Sequence, residues 1–165
     1  MYQNDYYQPA WQPAEIKKRR RIGIPFGGIQ SILLALALFL VVQFAIQNTR
    51  VYGLSMQPTL QDGQLVIVNK LAYKIGSPGI DDVVVLFSPQ GGVPLLKRIV
   101  GVPGDTIRIV GCTVCPVTLG PGEFFVAGDN RRDSLDSRVF GAVPEENIIG
   151  TVQIRYWPFD SISLF

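Results

Sequence analysis

Hydrophobic and polar positions follow three regimes along the chain. Residues 1–21 are rich in Tyr, Gln and Pro and end in the basic run Lys17 to Arg21. Without aliphatic periodicity, this stretch predicts a disordered tail. Residues 22–47 carry no charge, and Leu, Ala, Val, Ile and Phe dominate from Ile29 to Ile46. That is close to the roughly 20 apolar residues with which a helix crosses a bilayer core of about 30 Å. Gly23, Pro25, Gly27 and Gly28 are expected to loosen its first turns. A cleavable leader would have a shorter apolar core of about 7 to 15 residues and a small-x-small site. Phe44 to Thr49 offers no such site, so the stretch predicts an uncleaved anchor.

Beyond residue 47 the apolar residues fall into short runs: Gln64 to Asn69, Asp82 to Phe87, Leu95 to Val100, Thr106 to Val110, Glu123 to Ala127 and Ile148 to Tyr156. Turn sequences such as Asp62-Gly63, Pro103-Gly104-Asp105 and Gly128-Asp129-Asn130 separate them. Asn69 to Ile75 fits a short helix or a further strand. The pattern predicts a mainly β fold, a compact antiparallel β domain over residues 48–165 preceded by a single N-terminal transmembrane helix.

Charge orients this arrangement. The net charge is only +2, yet five cations stand together before the span and Arg50 alone stands just after it. That bias predicts a cytoplasmic N-terminus and an extracytoplasmic β domain at the cell membrane. Because the basic run lies between a polar tail and an apolar helix, a lipid bilayer is the expected partner and nucleic acid is not.

The chain contains no histidine. A Ser-His-Asp triad is therefore impossible, and a serine nucleophile would need another base, for which lysine is the obvious residue. Ser55 lies in Gly53-Leu54-Ser55-Met56-Gln57-Pro58, where Gly53 and Pro58 favour a rigid bend open to close backbone approach. Its own N–H would be a natural oxyanion donor. Taken alone, such a serine more often caps or turns the chain. Lys97 stands out because in a strand Leu95, Lys97 and Ile99 share one face, while Leu96, Arg98 and Val100 share the other. One cation must then sit among aliphatic neighbours. On an edge strand it would snorkel to water. If buried, its ammonium would be disfavoured, and a neutral amine could accept a proton. The loop from Gly128 to Arg138 adds hydroxyls and opposite charges.

Cys112-Thr113-Val114-Cys115 leaves both a local disulfide and two free thiols open. With no histidine and no third cysteine, a structural zinc is not expected. No other metal and no organic cofactor is implied.

The ordered set Ser55-Met56-x-Pro58-Thr59-Leu60, Lys97-Arg98-Ile99-Val100-Gly101-x-Pro103-Gly104-Asp105 and Gly128-Asp129-Asn130 to Ser134-x-Asp136-Ser137-Arg138 resembles the motifs of type I signal peptidases. The preceding anchor agrees with it. The resemblance implies a membrane serine endopeptidase that removes signal peptides from exported preproteins, cleaving after small residues in an extended substrate. It implies that Ser55 is the nucleophile, Lys97 the general base, and Ser134 the hydroxyl that orients Lys97. Asp129, Asp136 and Arg138 would be scaffold residues, and Met56 and Arg98 structural ones. Gly53 stands in the oxyanion-hole neighbourhood, where some members have a serine or threonine, so no side-chain donor is expected there. Gly79-Ile80-Asp81-Asp82-Val83, Arg132, Asp133 and Phe140 also depart from the common pattern. Two rivals remain: a specialised peptidase of the same family with a narrow substrate, and a catalytically silent, membrane-tethered homologue that binds peptides. A soluble Ser/Lys self-cleaving repressor conflicts with the uncharged span.

Overall fold

The structure, a computed structural model, describes residues 26–165. Helix α1 spans Phe26–Ala45, and Gly27–Ala45 is long and apolar enough to cross a membrane. Its large apolar side chains, from Ile29 to Phe44, are exposed in the protein alone. The tail expected over residues 1–21 lies outside the described residues, as does the start of the expected anchor. Ile46 and Gln47, expected to finish that anchor, instead open strand β1 (Ile46–Arg50). Polar Gln47 to Arg50 could not remain in a lipid-facing helix at low cost. Their backbone groups pair antiparallel with β2 (Leu65–Asn69), from Ile46 opposite Asn69 to Arg50 opposite Leu65.

The remaining strands are β3 (Val83–Leu86), β4 (Leu95–Gly101), β5 (Thr106–Ile107), β6 (Val117–Thr118), β7 (Glu123–Ala127), β8 (Val143–Pro144), β9 (Ile148–Trp157) and β10 (Ser163–Leu164). The main sheet runs β1-β2-β9-β3-β4-β7-β8, with β10 also paired to β9 and β5-β6 forming a separate ribbon. Every pairing is antiparallel, so the domain is the mainly β, antiparallel one that the short apolar runs predict. Asn69 to Ile75 resolves into the four-residue helix α2 (Ala72–Ile75). Only Thr106 and Ile107 of the run expected to reach Val110 are strand.

Burial explains the strand patterns. In β2, Val66 and Val68 face the core while their neighbours are half-buried. All four β3 residues are buried because the strand feeds two cores: Val83 and Val85 enter one, Val84 and Leu86 the other. The first core also takes Met56 and Leu60, which are essentially inaccessible to solvent. Burial of each contributes on the order of 1.5–3 kcal/mol, which pins the segment carrying Ser55 onto the sheet.

Candidate active site

Ser55 lies between two fixed points. Met56 and Leu60 hold the segment from below, with Leu60 N–H donating to the Met56 carbonyl at 2.8 Å. From the other side, Asn130 N–H donates to the Ser55 carbonyl at 2.9 Å. Gly53 has φ +83°, a left-handed conformation that disfavours any side chain even where space is open. Its N–H donates to Asp62 Oδ1 at 2.8 Å. The Ser55 N–H meets no acceptor among the described residues.

Lys97 lies on the inward face of β4, where Lys97, Ile99 and Gly101 are buried in alternation. It is 3% exposed, so it does not snorkel to water. Its Nζ donates to Ser55 Oγ at 2.9 Å, 42 residues away in sequence. Burial pushes the Lys97 pKa below the usual lysine range, and the charge of Asp136 opposes that shift without reversing it. Among the described residues, no carboxylate forms an ion pair with it.

Arg98 occupies the opposite face. Its Nε and Nη2 donate to Asp129 Oδ1 and Oδ2, both at 2.8 Å, and Nη1 donates to the Asp81 carbonyl at 2.8 Å. Burial alone would raise the Asp129 pKa, but hydrogen bonding and charge from Arg98 bring it below the ordinary carboxylate range. Asp81 itself adopts φ +72°. Since Asp129 directly precedes Asn130, Arg98 ties β4 to the loop that holds the Ser55 carbonyl.

Asp136 is completely buried. It accepts from Arg138 Nε at 2.8 Å, Gly128 N–H at 2.9 Å and Ser134 Oγ at 2.7 Å. It also caps helix α3 (Ser137–Phe140) by accepting from Arg138 N–H at 3.2 Å. Burial works against this carboxylate, yet these donors keep its pKa low. Ser134 thus lies in the expected loop, but its hydroxyl is directed to Asp136, and no hydrogen bond joins it to Lys97 among the described residues. Gly128 is wedged between the two parts of the site: a Cβ there would collide with Ser134 Oγ and come within 2.5 Å of the Ser55 carbonyl. The departures are accommodated locally, with Asn130 Nδ2 donating to Asp133 Oδ2 at 3.1 Å and Phe140 packing against the second core.

A groove of about 610 Å³ runs past the pair, lined by Gln47 to Tyr52, Ser55, Val85 and Val93 to Lys97. Two backbone edges border it. β1 ends the sheet order, and β4 pairs with β7 only from Arg98 onward, leaving Leu95 to Lys97 bonded on the β3 side alone. The β1 edge was not evident from the sequence, since Gln47 to Arg50 carries no strand-like alternation, whereas an edge strand was one of the two alternatives weighed for Lys97. The Asn130 N–H, Asp62 and the Asp81 carbonyl were missed as well, because each contact has a backbone group on at least one side, which leaves no residue-type signal. Cys112 and Cys115 are joined in a disulfide.

Comparison with known proteins agrees with this geometry. A family model described as signal peptidase, peptidase S26, matches residues 27–115 and 111–157. Signal peptidase I of Bacillus caldolyticus is 37% identical over 150 residues, covering 70% of this chain and 82% of the relative. Signal peptidase IB of Staphylococcus aureus is 32% identical over 160 residues, covering 74% and 83%. Signal peptidase I of Leptolyngbya laminosa is 29% identical over 164 residues, covering 82% and 81%. With a serine and a buried lysine in contact beside an open strand edge, and with these relatives matched over most of their length, the chain belongs to the peptidase S26 signal peptidase family and is a serine endopeptidase.

Proposed function

We propose that this endopeptidase removes N-terminal signal peptides from exported preproteins, with Ser55 as nucleophile and Lys97 as general base. The observation that carries the reading is the 2.9 Å contact between a 3% exposed lysine amine and the Ser55 hydroxyl. With the amine neutral, the same contact runs the other way, and Ser55 O–H donates to the Nζ lone pair. Lys97 then takes that proton as Oγ attacks the scissile carbonyl, and the ammonium returns it to the leaving amine. Lys97 next removes a proton from the water that attacks the acyl-enzyme, and the proton passes to Ser55 Oγ as the ester breaks.

The Ser55 N–H, which meets no acceptor among the described residues, is suited to stabilise the oxyanion, and Gly53 adds no side-chain donor. A preprotein segment enters the groove in extended form, adding backbone hydrogen bonds to the free edges of β1 or Leu95 to Lys97. Small side chains suit the shallow apolar wall beside Ser55, which fits cleavage after small residues. Ser134, Asp129, Asp136 and Arg138 hold the loop around the pair. Helix α1 anchors the enzyme in the cell membrane, with the N-terminus cytoplasmic and the β domain outside, and confines enzyme and substrate to one surface.

Preprotein cleavage in detergent by wild type, Ser55→Ala and Lys97→Ala tests this. Both variants are expected to lose turnover while remaining folded. Wild-type turnover in either one contradicts the assignment.

A further inference from the structure

The Cys112–Cys115 loop plays no part in the chemistry above, yet it touches the element that holds Asp136. Thr113 donates twice to one acceptor: its N–H and its Oγ1 both reach the Arg138 carbonyl at 2.9 Å. That carbonyl belongs to the single turn of α3, whose end carbonyls lack the partners a longer helix would provide. The loop is itself held in place. The disulfide closes it, Cys112 N–H donates to the Ile109 carbonyl at 3.2 Å, and both cysteines pack against the core formed by Ile107, Leu119 and Phe125.

From Arg138 the contacts continue inward. Its guanidinium donates to the Arg131 carbonyl at 2.7 Å and to both oxygens of Asp136. Asp136 receives the Ser134 hydroxyl and the Gly128 N–H, and Gly128 fills the narrow gap between Ser134 and the Ser55 carbonyl. A shift of α3 would therefore move the wall against which the Ser55 segment rests.

We propose that Thr113, presented by the disulfide-closed loop, is a positioning residue that fixes Arg138, and through it Asp136 and Ser134, against the Ser55–Lys97 pair. This rests on the Ser55 and Lys97 assignment above. Thr113 does not line the substrate groove, so its contribution falls on turnover and not on substrate binding.

The experiment compares kcat and KM for cleavage of a preprotein in detergent by wild type and the variants below, whose thermal unfolding is followed in parallel. Thr113→Val keeps the shape and the N–H but removes the hydroxyl donor, and it is expected to lower kcat about fivefold, the equivalent of one net hydrogen bond, at unchanged KM. Thr113→Ser restores the donor and should return kcat to within about twofold of wild type. A Cys112→Ala/Cys115→Ala double variant opens the loop without altering Thr113 and should also lower kcat at unchanged KM. Wild-type kcat in both Thr113→Val and the double variant overturns the proposal. So does a Thr113→Ser enzyme as slow as Thr113→Val, or a loss expressed only in KM. Ser55→Ala in the same assay separates the two readings: if it cleaves like wild type, the dyad assignment fails, whereas if it is inactive while the loop variants are normal, only the role of Thr113 fails.

Discussion

The two faces of β4 hold adjacent cations in opposite circumstances. Lys97, facing in, is buried with a hydroxyl as its hydrogen-bond partner, and burial drives it toward the neutral form. Arg98, facing out, grips a carboxylate with two nitrogens and is held more firmly charged by it. A cation that only served the scaffold would be paired, as Arg98 is, because an unpaired buried charge is costly. On the proposed assignment, Lys97 serves chemistry at the expense of stability, and Arg98 serves structure.

Conservative replacement at both positions should pull activity and stability apart. Lys97→Met keeps most of the volume and removes the amine. It should lower kcat by about a thousandfold or more, as expected for loss of a general base, while leaving the denaturant midpoint unchanged or raised. Lys97→Arg should be equally inactive, because a guanidinium does not give up its proton near neutral pH. A Lys97→Met protein that was clearly less stable than wild type would place the lysine in the scaffold and erase the contrast.

Gly128→Ala should have the next largest effect. Its methyl group would drive Ser134 away from the Ser55 carbonyl, so activity should fall by about a hundredfold, the scale on which small misplacement of catalytic groups acts. Cleavage kinetics would detect this even in a folded variant.

Arg98→Met should cost stability, by about 2 kcal/mol for lost charged hydrogen bonds in a partly buried pair, with activity reduced only as far as Asn130 loosens its hold on Ser55. Urea unfolding measures it. The smallest effect concerns acid. Asp129 and Asp136 both have folded-state pKa values below the unfolded one, so their contribution is complete above the ordinary carboxylate pKa of about 3.9 and is lost as pH falls below it toward their lowered values. The urea midpoint should therefore drop below about pH 4, and less steeply in Arg98→Met, where Asp129 has lost its partner. An equally steep drop in that variant would mean that the Arg98 pair does not set the Asp129 pKa.

Much of this contrast was legible in the sequence, and the reason is physical. Period-two alternation places Lys97 and Arg98 on opposite faces whatever the tertiary fold, and the uncharged span and short apolar runs specify a helix followed by an antiparallel domain. Which face of β4 points inward depends on what packs against it, so the sequence left Lys97 either buried or snorkelling. The β1 edge was hidden because its strand character comes from pairing with β2 and not from Ile46 to Arg50 themselves. Ser134 lies in the expected loop, but its hydroxyl donates to Asp136, two residues away, and no hydrogen bond joins it to Lys97 among the described residues. Spacing left the Cys112–Cys115 disulfide and free thiols equally open, and the Thr113 contact with Arg138 joins residues 25 apart in sequence, so no local pattern announces it.

The pH dependence of kcat/KM, measured in parallel for wild type and Arg98→Met, tests most directly whether Lys97 is the base. Activity should rise as Lys97 loses its proton, with the rising limb at a pKa below the ordinary lysine value of about 10.4, because burial disfavours the ammonium. In Arg98→Met the limb should keep nearly the same position, since Arg98 lies on the other face. A rising limb at the ordinary lysine value in wild type would contradict the account.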